Sequence, residues 1–199
     1  MDSRELFKKF IPSLILASQS LGRKELLEEL GCQVTVQATY IDESHALTKG
    51  SEIVSLLALR KQEGYFAQYG RPTLPLLTAD TLVVLEGKII GKARFSGEAE
   101  EFLSLLSGKT HTVYSAFCLY LPAYELYLAG SDVAKVTFKA LTKHQIGAYL
   151  RGEEWQGAAG AYRVQGQASA FIAAIDGDVS TVVGLPIEAI SAIFRRLSL

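Results

Sequence analysis

The sequence predicts an α/β protein built on a mixed sheet, and three observations carry that prediction. Leu14–Gly31 joins a buried strand to an amphipathic helix, the ordinary unit of an α/β protein. Two long Tyr- and Val-rich runs, His111–Leu121 and Glu125–Phe138, flank Pro122-Ala123 as an antiparallel hairpin, so a purely parallel sheet is excluded. A chain of 199 residues, 49% hydrophobic and 21% charged, fills one substantial core or two small lobes. With no internal repeat and no low-complexity linker, it reads as one domain over 1–199.

The elements follow in order. Ile15-Leu16-Ala17 is a strand, Ser18 to Gly22 a polar turn, and Arg23–Leu30 a helix whose Leu26, Leu27 and Leu30 share one face, with Gly31 as its stop. Gln33–Ala38 is a strand, and Asp42-Glu43 opens a polar loop that runs to Ser51. Ser51 is the expected N-cap of a long helix to about Tyr69, in which Ile53, Leu56, Leu57 and Phe66 recur at helical spacing. Leu74–Ala79 is a buried strand ending at Asp80; Leu82–Leu85, Glu86-Gly87 and Ile89–Gly91 then form a hairpin. A helix through Phe102, Leu105 and Leu106 ends at Gly108. Beyond the long hairpin, Thr142 with Gln145 is a capping box for a short helix to Leu150, and a Gly/Ala-rich loop spans 152–160. Phe171–Ile175 is a strand, and Pro186 opens a final amphipathic helix.

Composition removes several classes of function. A formal net charge of -1 gives no field for a nucleic-acid polymer, so any polyanion handled should be small and gripped locally. Cys32 and Cys118 sit in apolar runs without metal-ligand spacing and are expected as buried reduced thiols. His45, His111 and His144 are scattered, and no GxSxG pattern occurs, which disfavours a zinc site or a serine triad. No run approaches the ~18 apolar residues of a membrane span and the first residues lack a cleavable leader, so a cytoplasmic protein without membrane partners is expected.

What remains is chemistry suited to a phosphorylated ligand. The N-terminus of the first helix points its free N–H groups at the turn holding Ser18 and Ser20, with Arg23 beside it, which suits a phosphate. The serines could equally serve only as caps. Asp80, with Thr81 beside it, stands where open sheets place ligands, at a strand's C-terminal end. Glu43, Lys61 and Lys92 put further acids and cations at element ends, where carboxylates can hold Mg²⁺ or deprotonate water and lysines can neutralise phosphate oxygens. Taken singly, each of these is as readily a turn residue or a solvated charge. Gln165, in RVQGQ, offers an amide that both donates and accepts towards a base edge, or a strand-end amide turned to solvent.

In order along the chain, LASQSLGRKELLEELG, IDE, LALRK, ADTLVV, GK, EAEEFLSLLSGKTHTVYSAF, GAAGAYRVQG and STVVGLPI resemble the Maf (septum formation inhibitor) family of nucleoside triphosphate pyrophosphatases over nearly the whole length. The resemblance implies a twisted mixed sheet with flanking helices and a cleft between two lobes, similar to the inosine triphosphate pyrophosphatase fold. It implies release of pyrophosphate from a nucleoside triphosphate with a divalent cation, Mg²⁺ or Mn²⁺. Carried over residue by residue, Asp80 is the general base and, with Glu43, a metal ligand. Lys61 and Lys92 are the triphosphate-side cations, while Ser18, Ser20 and Arg23 form the anion turn. Thr81 with Gln165-Gly166 is similar to the branch that prefers dTTP and UTP.

The chain departs from the family pattern at Gly22, where S-P-R-R has an arginine, at Ala93, where GKP has a proline, and at Ala158, where KAGAY has a lysine. Each lost charge-assisted phosphate contact costs roughly 1.5–3 kcal/mol. A nucleotide-binding or division-regulating protein with weak or lost turnover, or a pyrophosphatase for a modified nucleotide, is therefore the alternative. A homodimer through the hairpin His111–Phe138 is expected if its outer face is apolar.

Overall fold

A computed structural model describes residues 1–198, with elements in the order α1 (Ser3–Phe10), β1 (Ser13–Leu16), α2 (Leu21–Glu29), β2 (Gln33–Val36), α3 (Gly50–Tyr69), β3 (Leu76–Leu85), β4 (Lys88–Ile90), α4 (Ser96–Leu106), β5 (Thr110–Leu121), β6 (Leu126–Phe138), α5 (Lys143–Leu150), β7 (Ile172–Asp176), α6 (Val179–Val183) and α7 (Ile187–Leu197). The seven-stranded sheet runs β2-β1-β3-β5-β6-β7, with β4 on β3. β1 is parallel to β2 and β3, and the remaining pairs are antiparallel, so the sheet is mixed as expected.

Most elements begin where local chemistry says they should. Thr142 and Gln145 form the capping box of α5. A second box, Asp2 with Glu5, starts α1, which the sequence reading passes over although D-x-x-E stands in plain view. α1 is held on α7 by ring packing: Phe194 stacks on Phe10 at 4.7 Å and meets Phe7 edge-on at 5.4 Å. The expected Ser51 cap is corrected. α3 starts at Gly50 behind Lys49, with no side-chain cap. Packing fixes that start instead, because the Tyr114 ring lies over Gly50 so closely that a Cβ there would meet it at 2.6 Å.

Two buried clusters make the two lobes. One joins Leu6, Phe7, Leu16, Leu27, Leu77, Phe117 and Phe194, between the sheet and α1, α2 and α7. The other joins Leu85, Leu103, Val113, Phe138, Tyr149, Trp155 and Phe171, under α4 and α5. β3 and β5 run through both, so the middle of β3 lies at the junction. α3 covers the opposite face of the first lobe, through Tyr65 on Ile15 and Ala58 on Ala116. Cys32 and Cys118 are buried free thiols, each pushed up to about 11 by burial. No helix among the described residues is long and apolar enough to cross a membrane. The outward face of β6 is mixed: Tyr127, Ala129, Ser131, Val133 and Lys135.

Candidate active site

Asp80 does not end a strand. β3 is ten residues long, and Asp80 and Thr81 sit in its middle, opposite Ala116 and Ser115 of β5. β5 continues to pair β3 past Asp80 as far as Val84, so the polar pair does not end the strand, and the break falls on its other edge. There β1 pairs only Leu76 and Leu77, and β4 only Val83 to Leu85, which leaves 78–82 without a partner strand on that side among the described residues. The site therefore still lies outside the C-terminal end of a parallel strand, but the strand is β1.

Strand alternation then sends the two side chains to opposite faces. Leu76, Thr78 and Asp80 face α3, where the Thr78 hydroxyl donates to the Ala58 carbonyl at 2.8 Å. That bond sets the register of helix on strand, and one turn beyond Ala58 Lys61 meets Asp80 in an ion pair. Thr81 points the other way. Its hydroxyl accepts from Arg23 Nη2 at 2.9 Å and lies 2.9 Å from the Ser115 hydroxyl and 3.2 Å from the Gly184 carbonyl.

Glu43 reaches the same ammonium from a loop. Asp42 folds back on Ser44, accepting from its backbone N–H and hydroxyl, and these bonds lower its pKa below the usual carboxylate value. Arg60 donates to the Asp42 and Ser44 carbonyls at 3.3 and 2.6 Å, tying the loop to α3 one residue before Lys61. Glu43 Oε1 then lies 3.3 Å from Lys61 Nζ. One ammonium, 13% exposed, thus bridges two carboxylates, Asp80 at 11% and Glu43 at 57%.

Lys92 is presented differently. An antiparallel bridge to Ala159 and the Gly160 N–H on the Gly91 carbonyl at 2.9 Å pin its backbone. Its side chain is open to the cleft and makes no ion pair among the described residues. Desolvation lowers its pKa, helped by the Lys61 and Arg23 charges and opposed by Glu43 and Asp80; solvent access tempers that shift.

The turn before α2 forms as expected but is tightly bonded. Ser20 caps the helix by accepting from the Arg23 N–H at 3.4 Å, and α2 begins at Leu21, two residues before the expected start. Arg23 is 8% exposed; Nε donates to the Gly184 carbonyl at 2.7 Å and Nη1 to the Ser18 hydroxyl at 2.8 Å. Burial lowers its pKa and the Asp80 charge opposes this. Three of its five N–H groups are therefore spent on the protein, which makes Arg23 a brace that joins α2, β3 and the α6–α7 turn and keeps two donors for a ligand.

Ser18, Ser20, Arg23, Glu43, Lys61, Asp80, Thr81 and Lys92 line one cleft of about 830 Å³, and Gln165 lines it too. The lining also holds Val83, Tyr162, Val164, Val182 and Val183, together with Glu153, Glu154, Gln156 and Arg163. Gln165 is in an exposed turn, not at a strand end, and its Oε1 would stand 3.3 Å from a Cβ on Gly22. Gly22 is explained by the same contact, since that Cβ would also meet Val183 at 2.9 Å. Side chains that sequence reasoning missed include Tyr162, whose hydroxyl lies 2.8 Å from His111 Nε2, and Glu154 and Arg163, which hold the Gln165 turn. Arg163 stands inside RVQGQ and was legible; Glu154 had no signal short of the fold.

Such a fold and site define an α/β protein whose sheet opens a cleft lined by acids, cations and the Gln165 amide. The chain belongs to the family described as Maf-like protein, whose model matches residues 13–197. Among its relatives, a dTTP/UTP pyrophosphatase of Treponema denticola is 39% identical, covering 92% of this chain and 96% of its own. A second dTTP/UTP pyrophosphatase, of Symbiobacterium thermophilum, is 42% identical over 88% of this chain and 89% of its own. A third, of Bacillus cereus, is 40% identical over 88% and 90%. A solved Mycobacterium abscessus nucleoside-triphosphatase (dITP/XTP pyrophosphatase) superposes with a TM-score of 0.39 and 13% identity, over 94% of this chain and 97% of its own.

Proposed function

We propose that the protein is a nucleoside triphosphate pyrophosphatase that hydrolyses dTTP and UTP to the monophosphate and pyrophosphate. The observation that carries this reading is the Glu43–Lys61–Asp80 cluster beside Lys92, in a cleft that Gln165 also lines. The names of its relatives support the substrate class.

In this reading the triphosphate lies along Ser18, Ser20, Arg23, Lys61 and Lys92, and the base meets Gln165 beside Val183. Asp80 takes a proton from the attacking water, the new oxygen–phosphorus bond forms at the α-phosphorus, and the bond to the bridging α–β oxygen breaks to release pyrophosphate. Lys61 holds the Asp80 carboxylate in place, and Lys92 meets the negative charge that grows on the phosphate oxygens. Thr81 acts through Arg23, since its hydroxyl is engaged there.

Among the described residues no group of three His, Cys, Asp or Glu side chains is placed for a metal ion. Two carboxylates on a shared cation fit a hard ion that takes one or two protein carboxylates and completes its shell with phosphate and water. Asp80 and Glu43 would hold it. When bound, Mg²⁺ or Mn²⁺ would supply positive charge to the triphosphate oxygens.

The test is pyrophosphate release from dTTP, UTP, CTP, 7-methyl-GTP, ITP and dATP with Mg²⁺ or Mn²⁺, repeated in chelator. Metal-dependent release favouring dTTP and UTP supports the reading. Binding without release in every case would give the chain to the second reading, a nucleotide-binding protein, which the missing cations at Gly22 and Ala158 favour.

A further inference from the structure

The turn that carries Gln165 belongs to no strand or α-helix, yet it is held firmly from one side. Arg163 Nε donates to the Glu154 carbonyl at 2.8 Å and Nη2 to the Gln156 carbonyl at 3.0 Å, which folds the 154–163 loop on itself. The Gly166 N–H donates to the Arg163 carbonyl at 3.1 Å, closing the turn around Gln165. The Glu154 carboxylate then accepts the Gln167 N–H at 2.8 Å. It also lies directly on Gly166: a Cβ there would meet Oε2 at 2.1 Å and Cδ at 2.7 Å. Arg163 holds backbone carbonyls and not this carboxylate, so the acid is left to grip the chain on the far side of Gln165.

We propose that Glu154 is a positioning residue for base recognition, its carboxylate clamping Gly166-Gln167 so that the Gln165 amide faces the cleft at a fixed point. A side chain at position 166 would begin where the Glu154 carboxylate lies and would displace it. On the opposite side Gly22 leaves the room that the Gln165 amide occupies. The base end of the cleft is therefore built from a pair of matched contacts, Glu154 against Gly166 and Gln165 against Gly22, and its precision depends on the first. The proposal rests on the reading of this cleft as a triphosphate site with the base at Gln165.

The experiment compares kcat and KM for UTP and ITP in the wild type, Glu154→Ala, Glu154→Gln and Gly166→Ala, with thermal melting of each. Loss of the clamp should raise KM for UTP about tenfold, the scale of one charged hydrogen bond, with a much smaller change in kcat. The UTP-over-ITP preference should shrink by the same factor. Glu154→Gln keeps an oxygen for the Gln167 N–H and should restore most of the preference, while Gly166→Ala should reproduce the loss. A Glu154→Ala protein with wild-type preference, or one that loses kcat equally on both substrates, overturns the clamp. If the wild type hydrolyses neither triphosphate, the catalytic reading fails separately, and calorimetric Kd values for UTP and ITP decide the clamp by the same ratio.

Discussion

Among the described residues Lys92 has no ion-pair partner in the cleft, whereas Lys61 is shared by Asp80 and Glu43 and Arg23 is braced against Gly184, Ser18 and Thr81. Replacing it with alanine should cost about 1.5–3 kcal/mol of transition-state stabilisation, read as a drop of one to two decades in kcat/KM for UTP. Its lowered pKa means that its charge, and with it turnover, is lost on the alkaline side earlier than for an ordinary lysine. His111 supplies a stability test. Burial lowers its pKa to about 4 from an ordinary value of 6.5, so between those values the unfolded chain binds a proton that the folded chain does not. Stability should fall as pH drops through that window, by about 3 kcal/mol in full. Urea midpoints at pH 7 and pH 4.5 check this, since His111→Gln should show a smaller difference between them than the wild type. The grouping of the candidate residues was largely legible in the sequence, because Asp80, Glu43, Lys61, Lys92, Ser18, Ser20, Arg23 and Gln165 line one cleft. What could not be read was partnership. That Arg23 and Thr81 bond each other depends on the chain folding back over a separation of 58 positions.

At the scale of elements, helix starts show which signals are local. The boxes at Asp2 and Thr142 need only their own four residues, and α1 and α5 begin there. Asp2→Ala should cost about 1 kcal/mol, seen as a lower melting temperature with kcat/KM for UTP retained, because α1 packs on α7 away from the cleft. α3 starts under Tyr114, a residue 64 positions downstream, and no local pattern reports that contact. The Asp80 position was misplaced for a related reason. Hydrophobicity stops at a polar pair, but β3 continues because β5 supplies hydrogen bonds through Val84. A polar break inside a strand and a true strand end look alike until the neighbouring strand is known.

In the whole molecule, β3 and β5 pass from one buried cluster to the other, and the cleft opens where they cross. The mixed sheet followed from the strand–helix unit at Leu14–Gly31 and the hairpin at 111–138; the placing of the cleft did not, because it depends on β1 stopping at Leu16 while β3 runs on. Both lobes contribute cations to the cleft, since Lys61 rides on α3 over the first and Lys92 follows β4 in the second. Catalysis in this account depends on Asp80 at their junction. The most direct measurement is pyrophosphate release from UTP by Asp80→Asn beside the wild type, with melting curves of both. The account predicts a fall of about a thousandfold, the scale of a lost general base, in a variant that stays folded. A folded Asp80→Asn protein that hydrolyses UTP at the wild-type rate would contradict it.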